Sequence, residues 1–318
     1  MKLTAETLKQ AQNVIEVATQ SWQEFEEQLS VLEQSYSELE RQRRGLYVPH
    51  LLFRGQTNAT FGLQTTLERY PVQIASFGDY YQAAYGARHE IEAASGNRWE
   101  MPYPHIAKEA AATSGSSGFF VPPAYDYLVY LRHHGFPSPF LDWSRSAYVA
   151  AFFAFSGCKS GQPEDVAVYV YLESTGKGKI GSVGSPAISA LGPIVRTHRR
   201  HFIQQAEYTI CAAFLGNDWM FTPHESAIGR EAGQDVLLKF IVPARERVTA
   251  LRKLDQFNLN AWSIYGSEEG LMQTMAMREF EFSDWLRRRE IDPEYQYRMA
   301  LAEALSGKPK ESKGTIGG

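Results

Sequence analysis

The chain has 318 residues, 44% of them hydrophobic and 21% charged, with a formal net charge of −4. It is long enough to bury a sizeable core, its composition is that of an ordinary globular protein, and its slight acidity gives no global electrostatic case for nucleic acid or an anionic membrane. Two well-separated cysteines, Cys158 and Cys211, exclude a disulfide framework and a cysteine-rich zinc site. The first residues, MKLTAETLKQ, lack the apolar core of a signal peptide, and no apolar stretch reaches membrane-spanning length, so a cytoplasmic setting is expected.

From Leu8 to Leu39 the apolar residues are spaced alternately three and four apart, through Ile15, Ala18, Trp22, Phe25, Leu29, Leu32 and Tyr36. This predicts a helical seam over residues 1–45, in cis on the body of the protein or as a coiled coil with a second copy or a partner protein. Ser21-Trp-Gln-Glu24 has the form of a capping box, so two helices broken near Thr19–Ser21 compete with one long helix. A strand is expected over Tyr47–Phe53, followed by Arg54-Gly-Gln56. Leu63–Tyr70 reads as extended or as a short helical turn, Ser76–Ser95 as a helix, and Thr113–Gly118 as a flexible loop. A helix should open at Pro122–Pro123 and run through Arg132.

The stretch Leu131–Phe155 is the centre of the sequence. It sets His133, His134, Asp142, Trp143, Ser144 and Ser146 ahead of an apolar run in which Tyr148, Phe152 and Phe155 share one helical face. Ser144 or Ser146 can cap that helix, whose N-terminus is a natural anion-binding place. Strands are expected over Asp165–Leu172, Glu207–Phe214 and Val236–Val242, with helices near Arg245–Leu254 and Glu268–Phe280. From Ser306 the chain reads as a disordered tail. The irregular alternation of helices and strands predicts an α+β fold: a mixed core domain over 46–305 with an N-terminal helical appendage.

Arg54 follows an apolar strand directly, and its planar, permanently charged fork suits phosphate or carboxylate. Asp142, behind Pro-Phe-Leu, should be partly buried and need a partner, with Arg54 or His134 as candidates. Trp143 can be core or can stack on a ring of a ligand. The pair His198 and His201 has helical ligand spacing but no third ligand within reach, so no metal is expected. The basic clusters Arg41–Arg44, Arg196–His201 and Arg287–Arg289 read as solvated faces. A Walker loop, a dinucleotide fingerprint and a Gly-x-Ser-x-Gly elbow are absent.

Several of these pieces together resemble the FRG-domain proteins of bacteria and phages. They are Phe53-Arg-Gly-Gln56, Leu67-Glu-Arg69, His134-Gly-Phe-Pro137, Leu141-Asp-Trp-Ser144, Ala151-Phe-Phe-Ala154 and Gln205-Ala-Glu-Tyr-Thr209, with Ser21–Phe25 at the entry and Asn260-Ala-Trp262 near the exit. The chain departs from the family at Ser138-Pro139-Phe140, where an arginine is usual, and at Ala206, where glycine is usual. The resemblance implies a polar cleft built from Arg54, Gln56, Arg69, His134, Asp142, Trp143 and Gln205. A second resemblance concerns order alone. Arg54 on a first strand, Ser144 and Ser146 before a helix, and Gln205 and Glu207 on a later strand are similar to the arginine-serine-glutamate ADP-ribosyltransferases, which use a split sheet.

That second resemblance implies NAD as substrate and a toxin or defence effector as the biological setting. Arg54 would hold the pyrophosphate, serine the nicotinamide ribose, and Glu207 an oxocarbenium-like transition state. The competing readings are a non-catalytic module that binds a nucleotide or a protein, and, least in keeping with the acidic balance, a nuclease or nucleic-acid binder.

Overall fold

The structure is a computed structural model and describes residues 3–42, 49–159, 161–176, 178–193, 199–283 and 292–305. Its frame is a sheet of eight strands, β1 (Ile15–Ala18), β2 (Leu52–Gln56), β3 (Leu141–Ser144), β4 (Val166–Ser174), β5 (Ala187–Ala190), β6 (Ala206–Leu215), β7 (Asp218–Phe221) and β8 (Gln234–Val242). They lie in the order β1-β8-β4-β2-β3-β6-β5, with β7 paired to β6. Every pairing is antiparallel except β1 with β8. The fold is α+β with a mixed sheet.

One face of the sheet carries two groups of helices. Over β8, β4 and β2 pack α2 (Trp22–Gln42), α6 (Ala147–Ser156), α8 (Arg247–Gln256) and α9 (Ala261–Tyr265), burying Phe25, Leu32, Phe155, Val168, Leu238 and Phe240 together. Over β6 pack α3 (Phe77–Ser95), α4 (Pro104–Thr113) and α5 (Tyr125–His133), enclosing Phe77, Tyr80, Tyr127, Tyr208 and Ile210. The opposite face holds a smaller core of Leu52, Trp143, Tyr169, Tyr171 and Leu237, which Leu63 and Ala227 join from the connecting segments. Strand alternation assigns these faces. Phe53, Ser144 and Ala206, joined in register across three strands, point to the helices, and their neighbours point away.

The N-terminal seam is corrected. A short helix α1 (Ala5–Lys9) is followed by β1, so the expected helix does not run unbroken from Leu8. Ile15 and Val17 are β-branched, and β8 offers them an open edge in parallel register, Ile15 opposite Leu238 and Val17 opposite Phe240. Four residues are too few for apolar spacing to separate helix from strand, and pairing with the sheet decided it. The break near Thr19–Ser21 is where it was expected: Ser21 Oγ accepts from the Glu24 amide and Glu24 reaches back to the Gln20 amide. Trp22, Phe25, Leu29, Leu32 and Leu39 are all within the protein's own core, so α2 packs in cis and the segment is part of the body of the fold.

Other elements differ in detail. The expected strand over Tyr47–Phe53 begins only at Leu52 and runs on through the Arg54 motif to Gln56; Tyr47 lies outside the described residues. Thr113–Gly118 is no open loop: α4 continues into a 3₁₀ turn over Ser114–Ser117, where Gly115 lies against the Phe214 ring. The expected helix over Glu268–Phe280 is α10 (Glu268–Ala276), continued as a π turn over Met277–Glu281. A last helix, α11, spans Pro293–Leu305, and the expected tail from Ser306 lies outside the described residues. No helix among the described residues is long and apolar enough to cross a membrane.

Candidate functional site

The site forms where β2 and β3 part. Their ladder has a single pair, Phe53 with Ser144, and no further rungs follow towards Gln56. Arg54 fills the opening: its Nη1 donates to the Asp142 carbonyl at 2.8 Å, in place of the backbone donor that a continued ladder would supply. The Arg54 Nε is buried without a hydrogen-bond partner. Burial lowers the pKa of this guanidinium, the nearby Asp142 works the other way, and Arg132 and Arg69 add repulsion. A buried cation with an unmatched donor, and with no carboxylate of its own among the described residues, attracts hydrogen-bond acceptors and anions.

Beside it is a cavity of about 240 Å³, bounded by Phe53, Arg54 and Gly55 of β2, Asp142 to Ser144 of β3, Ala150 and Phe153 of α6, and His133, Gln204, Ala206 and Tyr208. Gly55 allows this arrangement. A Cβ there would meet the Ala150 carbonyl oxygen at 2.0 Å and the Ala154 nitrogen at 2.6 Å, so the glycine of the motif lets α6 lie directly on β2.

Asp142 has a partner that the sequence did not suggest. Arg132 of α5 grips its carboxylate with both prongs, Nε to Oδ1 at 2.9 Å and Nη2 to Oδ2 at 2.6 Å. Neither expected partner does so: Arg54 meets the main chain of Asp142, and His134 is exposed next to Tyr130 at the end of α5. It is the neighbouring His133 that lines the cavity. Arg132 thus brings a guanidinium to the aspartate from another element. Trp143 points to the other face, buried against Tyr171, with its indole N–H on Thr209 Oγ1.

The two serines hold the framework. Ser144 Oγ donates to the Gln204 carbonyl at 2.7 Å and accepts from the Ser146 amide; Ser146 caps α6 by accepting from the Val149 amide. Ser144 also faces the helices, whereas Glu207, paired in register with Trp143, faces the opposite side of the sheet, so they do not meet. The Glu207 carboxylate is buried and bound by Arg145 Nε at 2.6 Å. Gln205 is an exposed turn residue with φ +48° whose carbonyl accepts from the Arg145 amide. Gln56 donates to the Gly62 carbonyl, and Arg69 is exposed with Nε on the Thr65 carbonyl at 3.4 Å. The expected cleft is thereby reduced: Arg54, Asp142, Trp143 and Ser144 line one cavity, while Gln56, Arg69, His134 and Gln205 do not.

Two buried histidine networks flank these residues. On the helix side, His133 Nε2 meets the Tyr208 hydroxyl at 2.5 Å, and Tyr208 meets His201 Nδ1 at 3.1 Å. On the other side, the Thr209 hydroxyl meets His224 Nε2 at 2.9 Å, and His224 Nδ1 has no partner. Burial pushes His133 down to about 4 and His224 to about 3, with Arg54 a further cause at His224. Both are neutral at physiological pH. His201, on the short helix α7 (Arg199–Ile203), is held by Tyr208 and the Pro193 carbonyl, while His198 lies outside the described residues. Among the described residues no group of three His, Cys, Asp or Glu side chains could hold a metal ion, and Cys158 and Cys211 are buried free thiols.

These features define an α+β domain organised around an arginine buried where two central strands diverge. The family model of the FRG domain matches residues 49–162. The matched segment takes in β2 to α6 and so Arg54, Asp142, Trp143 and both serines, but not Glu207 on β6. No curated protein and no solved structure matches the chain.

Proposed function

We propose that the chain is an NAD-using enzyme similar to ADP-ribosyltransferases, acting around Arg54 and Glu207. One observation carries this reading: β2, β3 and β6, which bear Arg54, Asp142-Trp143 and Glu207, are consecutive strands of the sheet. Arg54 and Trp143 are next in line after the Phe53–Ser144 pair, and Trp143 is paired with Glu207. At a strand spacing of about 4.8 Å, the backbones of Arg54 and Glu207 are on the order of 10 Å apart. Such a span suits one extended substrate, with an anionic part near the guanidinium and a developing cation near the carboxylate.

In the reaction the bond between nicotinamide and ribose breaks and its electron pair leaves with nicotinamide. The ribose carbon takes on oxocarbenium character beside Glu207, and an acceptor N or O then attacks it and gives up its proton. Arg145, whose side chain is 37% exposed, has room to move off Glu207 when substrate enters. Ser144 and Ser146 keep their framework roles, so nicotinamide ribose would be positioned by other groups.

The test is to incubate purified protein with NAD, with and without cell lysate as a source of acceptors, and to follow free nicotinamide. Release should fall at least ~100-fold in Glu207→Gln, the scale on which a lost electrostatic stabiliser acts. Arg54→Lys should lose NAD binding by calorimetry while keeping its thermal melt. Absence of both nicotinamide release and NAD binding in the parent protein would overturn the reading. A non-catalytic nucleotide-binding module is favoured instead by the Arg145–Glu207 ion pair, which occupies the carboxylate; it predicts stabilisation by NAD without turnover.

A further inference from the structure

The chain of buried groups from Pro193 to His133 has a fixed hydrogen-bond direction. The Pro193 carbonyl can only accept, so His201 Nε2, 2.8 Å away, carries a proton. His201 is 1% exposed, and burial lowers its proton affinity, so the ring is neutral and its Nδ1 is a bare acceptor. The Tyr208 hydroxyl, 3.1 Å from that Nδ1, must then donate to it. With its one hydrogen committed, the Tyr208 oxygen can only accept from His133 Nε2 at 2.5 Å. His133 is therefore the Nε2–H tautomer. Burial keeps this ring neutral as well, which leaves Nδ1 a bare acceptor.

His133 and Tyr208 both line the cavity beside Arg54. Tyr208 has spent its hydrogen, and Ser144 has spent its own on the Gln204 carbonyl. We propose that His133 Nδ1 is a hydrogen-bond acceptor of this cavity, set in that role by the His201–Tyr208 relay, and that it receives a ligand group bearing an N–H or O–H beside the Arg54 guanidinium and the Arg132-bound Asp142 carboxylate. Pro193, 60 residues from His133 in the chain, thereby sets the tautomer of His133. This inference concerns the hydrogen bond only and stands whether or not NAD is the substrate.

The test uses the full chain with its eight histidines labelled with ¹⁵N, His133 being assigned by comparison with His133→Gln. At pH 7 the expected signature is two neutral Nε2–H rings for His133 and His201, and a Tyr208→Phe variant in which His133 no longer shows a single tautomer. Benzamide and N,N-dimethylbenzamide then serve as neutral probes with the same ring and carbonyl, only the first with an N–H to donate, so that Arg54 acts on both alike. Benzamide should shift His133 Nδ1 and bind about fivefold more tightly than N,N-dimethylbenzamide, the worth of one neutral hydrogen bond. The shift should vanish in Tyr208→Phe. An Nδ1–H or charged His133 at pH 7, or equal binding of the two probes, would overturn the proposal. The tautomer readout needs no ligand, so it also holds if NAD fails to bind.

Discussion

Replacing Gly55 by alanine tests the argument that the glycine of the motif is there for close packing. The added methyl would lie 2.0 Å from the Ala150 carbonyl oxygen and 2.6 Å from the Ala154 nitrogen, both main-chain atoms of α6. Neither can rotate away as a side chain would. Relief requires α6 to rise by more than about 1 Å to restore ordinary contact distances. That helix carries Phe152, Ala154 and Phe155 into the main core, so the shift opens gaps on its buried side. The cost should reach the upper end of the overpacking range, about 3 kcal/mol. For a domain of this size it corresponds to a fall in Tm of roughly 6–12 °C. Thermal unfolding by circular dichroism would measure it, with urea unfolding as a second measure of stability. A Gly55→Ala variant melting within about 1 °C of the parent would refute the packing argument.

Two further outcomes follow from the site's charges. His224 is held near 3 and His133 near 4 by burial, against an ordinary 6.5, so the folded state resists protons that the unfolded chain accepts. Their contribution is complete above pH 6.5 and is lost as pH falls towards 3 to 4. Between pH 7.5 and 5 each should remove roughly 2 kcal/mol of stability, read as a falling urea midpoint; a flat midpoint would contradict the burial of both rings. Asp142→Asn should leave Arg132 without its counter-charge. Because the Asp142 side chain is 42% exposed, the loss should be discounted to about 1–2 kcal/mol, and raised salt should narrow the gap between variant and parent.

The sequence by itself determined much of the framework. Local signals sufficed where a pattern was long or a cap was explicit: the helical run of α3, α6 behind Ser146, and the apolar runs of β4 and β8. It also marked Arg54 and Asp142 as parts of one site, because a charged residue set against apolar strands needs an explanation in any fold. The tertiary structure decided what each of them touches. Whether Ile15–Ala18 was helix or strand depended on an open edge more than 200 residues away, at β8. The choice between His133 and His134 depended on where α5 ends over β6, since adjacent side chains on a helix point about 100° apart. Arg132, ten residues before Asp142, carried no local sign of its role; the two meet because α5 packs across the strand that holds the aspartate. The serines were legible as polar and well placed, but the sheet turned Ser144 and Glu207 to opposite faces, and only the register of three strands could show it.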